Sequence, residues 1–301
     1  MRVVGRASRK SGIGGVLAGL TLSLALASSM SAHAQNAVAL GRERATPEPD
    51  VVAFVLGNIE FLLIHEIAHF LISEKQIPIV GPVENAADYI ATLALIREEP
   101  LDPSQKDRAL KDLVAAADAF SLVWQNGSTT GAQAPYWGTH ALSIQRYYQI
   151  ACLLYGSDPI AFARVPEGAG LPPVRAAGCI DEFARADKAI DWLLATFGRH
   201  DGDPPGAATE VSYGPPPTLV GRRIVEALRS SELLERTLER LRQRFVLDSP
   251  FTLSVRSCGE AEAAWLPEQR EMVICYELID TLYLLGIQER TRHLDPALPP
   301  R

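Results

Sequence analysis

From Val51 to about Lys75 apolar residues run nearly continuously and without proline. The run shows neither strand alternation nor a one-sided helical stripe, and its length favours a helix buried on most sides. Asp50 stands where a cap can start it, and Gly57 is its one weak position. The segment Gln76-Ile-Pro-Ile-Val-Gly-Pro82 breaks the run, and Pro82 suits the first turn of a second helix reaching about Arg97. Further helices are expected at 104–125, 140–155 and 180–197, so that residues 50–202 form a helical core. The proline-rich stretch 203–217 reads as a linker, and 219–245, with its paired charges, as a helix. There the texture changes. Thr252-Leu-Ser-Val-Arg-Ser and Met272-Val-Ile-Cys-Tyr alternate or run β-branched, predicting a two-stranded ribbon, with a final helix at 277–285. The expected class is mainly α with a small β ribbon (α+β). The segment 218–290 packs on the core, and the proline-rich tail 291–301 is disordered.

Composition adds where the chain works. The formal charge is −7, and the first 34 residues carry Arg2, Arg6, Arg9 and Lys10 with no acid, so without them it falls to −11. Nucleic acid and anionic membrane surfaces are therefore not expected partners, since phosphate binding needs clustered Lys and Arg. The leader itself has a basic start, an apolar run over 16–27 and the small-x-small site Ala32-His33-Ala34. It reads as a signal peptide, 1–34, followed by a flexible lead-in, 35–49. Export to the periplasm or medium is expected, with no stable membrane insertion after cleavage. The alternative is an uncleaved anchor.

The four cysteines contain no Cys-x-x-Cys, which argues against a zinc knuckle or a redox pair. In an oxidising compartment an even number favours disulfides. Of three pairings, Cys152–Cys179 with Cys258–Cys275 closes the shorter loops and is preferred over four buried thiols.

The chemistry sits on the first helix, in His65-Glu66-Ile-Ala-His69. Histidines four apart project from one face, close enough to bind a single tetrahedral metal, while the adjacent Glu66 can reach a water on it without being a ligand. A third ligand is offered by the second helix, where Glu84 and Asp88 share a face. With the two helices antiparallel, Glu84 closes the coordination sphere and Asp88 accepts a hydrogen bond from a ligand histidine. Taken singly, the histidines could be core and Glu84 a first-turn acid favoured by the helix dipole. A buried Glu between two buried His is costly without a partner, and a metal accounts for all three.

At these residues the chain resembles the gluzincin zinc metallopeptidases, in which His-Glu-x-x-His is followed by Glu-x-x-x-Asp on the next helix. Together with Trp137-Gly-Thr-His-Ala-Leu-Ser-Ile-Gln-Arg-Tyr-Tyr148, Cys152-Leu-Leu-Tyr-Gly-Ser-Asp-Pro159 and Cys275-Tyr-Glu-Leu278, it is similar to a bacterial family of unknown function catalogued as "putative metallopeptidases". The resemblance implies a zincin-like core with Zn2+ on His65, His69 and Glu84, a catalytic Glu66, and a peptide or protein substrate. Zincin folds place a sheet before the metal helix, its edge strand holding the substrate. Here only the lead-in precedes Asp50, so the late ribbon at 251–276 is expected beside the metal helix in permuted order.

Hydrolysis also needs a partner for the oxyanion. His140 and Arg146, on one predicted helix, are the candidates; alternatively Arg146 anchors a buried carboxylate and His140 caps its helix. Two other classes stand beside the peptidase: a zinc-binding but inactive envelope scaffold, and a metal-free helical protein of the envelope.

Overall fold

The computed structural model describes residues 48–97, 103–131 and 133–294. The expected leader, almost all of the lead-in and the end of the tail lie outside the described residues.

The apolar run folds as helix α1 (Pro49–Glu74), with Pro49 in the first turn. Its side chains divide between two cores. Phe54, Val55, Ile59, Leu63, Ile67 and Phe70 enter one, Phe61 and Ile64 the other. That division explains the absence of a single apolar stripe: a helix wedged between two cores is apolar nearly all round. By length and composition α1 could also cross a membrane, yet 67% of its apolar window is buried by the rest of the chain. Gly57 has a reason. A Cβ there would sit 2.8 Å from the Asp112 backbone, so glycine allows the third helix to cross at close range.

Around α1 stand α2 (Val83–Ile96), α3 (Pro103–Thr130) and α4 (Ser143–Ser157), then two single turns, α5 (Val165–Gly168) and α6 (Pro173–Ala176), and α7 (Cys179–Phe197). Helix α4 starts three residues later than expected because Gln145 Oε1 accepts the Leu142 N–H at 3.0 Å. His140 is thereby left on the loop before the helix rather than on it. The helix expected over 219–245 is two, α8 (Leu219–Ser231) and α9 (Leu233–Arg244), hinged at Glu232 with φ 50°. Ser230 and Ser231 turn their hydroxyls back onto the Ala227 and Leu228 carbonyls, and the hinge lets Leu228, Leu233 and Leu234 enter one core.

The late segment is richer in strands than the pattern suggested. Strands β1 (Thr209–Tyr213), β2 (Phe251–Arg256), β3 (Ala263–Leu266) and β4 (Glu271–Cys275) form one sheet in the order β1-β2-β4-β3. The expected linker thus contains a strand, lying parallel to β2. The two expected ribbon strands, β2 and β4, do pair, but in parallel, because β3 occupies the stretch between them in sequence and returns antiparallel on the far side of β4. Last comes α10 (Tyr276–Leu294), which carries helix into the segment expected to be disordered. The whole is α+β, mainly helical with a small sheet. Helix α1 packs on α2, α3, α8, α9, α10 and β3.

Both disulfides have the expected pairing, Cys152–Cys179 and Cys258–Cys275. The first ties α4 to α7 and the second ties the end of β4 to the loop after β2. Each closes a loop worth about 2–4 kcal/mol against the unfolded chain, and two such bonds fit an oxidising, exported setting.

Candidate metal centre

Helices α1 and α2 bring four of the singled-out residues into one cluster. On α1, His65 is 2% exposed, while the side chains of His69 and of Glu84, at the start of α2, are 18% and 16% exposed. His65 Nε2 and His69 Nε2 lie 3.1 Å apart, and Glu84 Oε2 is 3.2 Å from the first and 3.1 Å from the second. Donor atoms about 2.0–2.2 Å from a common centre in tetrahedral directions are separated by about 3.3 Å, so two imidazole nitrogens and one carboxylate oxygen already stand at the spacing of a zinc coordination face.

Asp88, one turn along α2, accepts a hydrogen bond from His65 Nδ1 at 2.9 Å. That bond orients the ring and assigns its other nitrogen to the cluster. The Asp88 carboxylate is itself held by Arg146 of α4, through Nε at 2.7 Å and Nη2 at 2.6 Å, and the guanidinium lies over the Phe120 ring at 3.9 Å. Arg146 therefore stands behind the histidine rather than at an open position over the cluster, where an oxyanion partner belongs. The carboxylate anchor is the arrangement observed. His140 reaches in from the other side. Its Nε2 is 2.8 Å from Glu84 Oε2, its ring stacks on His65 at 6.0 Å, and its side chain is 52% exposed.

The charges are mutually dependent. Burial alone would lower the His65 pKa, but the hydrogen bonds to Asp88 and Glu84 overcome it and raise it to about 9. Glu84 is held down to about 2, foremost by its hydrogen bond from His65. Asp88 lies below the usual carboxylate range despite its burial, because His65 and Arg146 both bond it. His69 and His140 are lowered, mainly by burial. The carboxylates of Glu84 and Asp88 thus favour positive charge at His65, a setting that suits a divalent ion.

Glu66 is not one of the clustered donors, as its position beside His65 requires. It is 8% exposed, and Oε2 accepts the backbone N–H of Trp265 at 2.8 Å. Burial pushes its pKa up to about 7 against the pull of His65. The Trp265 amide is the element that sequence reasoning missed: β3 is four residues long inside a stretch taken as polar, and a backbone donor has no side-chain signature. Because Cys275 N–H donates to Glu262 C=O, alternation along the β3–β4 pair turns the backbone groups of Ala263 and Trp265 outward, toward the open edge of the sheet. The late strands lie beside the metal helix: the Trp265 ring of β3 and the Phe251 ring of β2 both pack on Phe70, and β3 alone among these contacts puts a backbone amide on Glu66.

A second cluster of ligand-type residues, Cys258, Cys275 and Glu277, has other uses. Its sulfurs form a disulfide, and the Glu277 carboxylate accepts the N–H groups of Cys258 and Gly259 at 3.1 Å.

A family model described as "putative metallopeptidase" matches residues 24–194 and 213–295. No curated protein and no solved structure matches the chain.

Proposed function

The chain belongs to that metallopeptidase family, and from this premise we propose that it is an exported zinc-dependent peptidase using His65, His69 and Glu84 as ligands and Glu66 as general base. One observation carries the reading: three donor atoms of the ligand types zinc prefers stand 3.1–3.2 Å apart, beside a buried carboxylate that is not one of them. A metal bound there supplies Lewis acidity toward water and the scissile carbonyl.

The protein's own groups do the rest. Trp265 N–H holds Oε2 of Glu66 and leaves Oε1 to take a proton from the attacking water and deliver it to the leaving amine. Asp88 fixes His65, and Arg146 fixes Asp88; Arg146 is a positioning residue. His140 is left as the candidate donor to the oxyanion, since it combines proximity to Glu84 with exposure to solvent. The outward groups of Ala263 and the Trp265 carbonyl offer an extended peptide a strand to pair with, next to the base.

The test is Glu66→Gln. The variant should keep the fold and one zinc per chain while losing cleavage of a peptide library by about three orders of magnitude or more. Undiminished cleavage overturns the mechanism. Zinc retention in the unaltered protein with no cleavage of any peptide favours an inactive, zinc-binding scaffold.

A further inference from the structure

On the side of α1 turned away from His65 and His69 lies a cavity, of about 120 Å³, between α1, α2, α7 and α9. Its walls are aliphatic but for Phe245: Ile64, Ile67 and Leu71 from the metal helix, with Leu93, Ile190 and Leu241 among the side chains facing them. Its polar groups are Thr237 and three arginines, Arg97, Arg240 and Arg244; no aspartate or glutamate lines it. Which of these arginines has charge to offer a ligand depends on what already pairs with it.

The three guanidiniums are not equivalent. Arg97 donates to Asp191 at 2.5 Å and lies 3.3 Å from Asp187, while Arg240 is paired with Glu60. Both are fixed by their own carboxylates. Arg244 is exposed, and among the described residues no carboxylate pairs with it. A ligand that satisfies the site needs an apolar body for the aliphatic walls and one anionic head for Arg244. A free phosphate lacks the body, and a neutral side chain of a peptide lacks the head.

We propose that this cavity binds a free alkanoate anion, its chain among the isoleucines and leucines and its carboxylate on Arg244. Cavities of this size and lining hold guests about as large as benzene, which corresponds to a chain of roughly four to eight carbons. The site is separate from the metal centre and does not depend on the peptidase reading. Occupancy would fill space against the helix that carries His65 and Glu66.

The experiment is calorimetric titration of the full chain with butanoate, hexanoate and octanoate, and with 1-octanol as the uncharged counterpart, each with and without chelator. Affinity should rise about fourfold per added methylene until the cavity is full. It should be the same with and without chelator, and at least about tenfold weaker for octanol than for octanoate. Arg244→Glu, a surface change that does not threaten the fold, should weaken octanoate about tenfold or more and leave octanol unaltered. Ala94→Trp, which fills the chamber, should abolish both. The proposal is overturned by any of four results: no saturable binding of octanoate, equal affinity for octanol, an unaltered Arg244→Glu, or undiminished binding by a folded Ala94→Trp protein. Binding that vanishes with chelator would place the anion on the metal instead and also overturns it.

Discussion

His65 and His69 stand one turn apart on one helix face, and the structure treats them differently. His65 is enclosed: Asp88 fixes its Nδ1, Arg146 fixes Asp88, and Phe120 lies under Arg146. His69 is partly open, and among the described residues its ring nitrogens bond only to His65 and Glu84. The inner half of the centre is therefore set by a chain of buried partners that are expensive to disturb, while the outer half, with His69 and His140, is the part open to solvent. Substitutions ranked by their effect on zinc affinity test that contrast.

The largest effect belongs to the ligands. His65→Ala and His69→Ala should each abolish stoichiometric zinc binding at neutral pH. They should differ in the metal-free protein. Removing His65 leaves the buried Asp88 with a partner missing, at a cost of about 1–3 kcal/mol, whereas removing His69 should cost about 0.5 kcal/mol or less. Denaturant unfolding in chelator measures both; equal losses would erase the distinction between an inner and an outer half.

Next comes the contrast along α2. Glu84→Ala should also lose stoichiometric zinc, while Asp88→Ala should weaken affinity by only about 10- to 100-fold, the usual cost of losing a partner behind a ligand. Chelator competition decides it. Zinc lost by Asp88→Ala and kept by Glu84→Ala reverses the assignment of ligand and support.

Arg146 stands a further step back, and its two readings separate cleanly. As an anchor of Asp88 it should lower zinc affinity by about tenfold when changed to Ala, with Arg146→Lys recovering part, and kcat at saturating zinc should hardly move. As an oxyanion partner it would lower kcat by about 10²–10³ and leave zinc affinity alone. The second pattern would contradict the geometry, in which the guanidinium is committed to Asp88 through two nitrogens.

Much of the centre was legible in the sequence because it rests on periodicity. A helix places residues four apart on one face, so His65 with His69 and Glu84 with Asp88 follow from spacing once both helices are recognised. The short-loop cysteine pairing was legible for a similar reason: each bond joins neighbouring elements of one segment. The sheet was harder. Thr209–Tyr213 hides among prolines, and Ala263–Leu266 is too short for its alternation to register, so neither strand could be assigned from pattern. With β3 missed, the Trp265 amide on Glu66 had no antecedent. Glu232 is a comparable case, since a left-handed residue inside a charged helical pattern is dictated by packing on both sides and not by its own preference.

The smallest effect on zinc should come from His140, and it bears on whether the centre is open. His140 Nε2 lies 2.8 Å from Glu84 Oε2, near enough to bond the ligand oxygen, yet it arrives on a loop and its side chain is half exposed. A catalytic centre needs three protein ligands and a free position, whereas four protein ligands make a closed, structural one. If His140 is only a hydrogen-bond donor, His140→Ala should leave zinc affinity within about threefold of the unaltered protein, since a half-exposed hydrogen bond stands at the lower end of the about 0.5–1.5 kcal/mol that such bonds contribute. Its cost should appear in turnover, as a fall of about 10²–10³ in kcat. If zinc affinity instead falls by several orders of magnitude, His140 is a fourth ligand, the position needed by water is taken, and the centre holds its metal for structure rather than for hydrolysis.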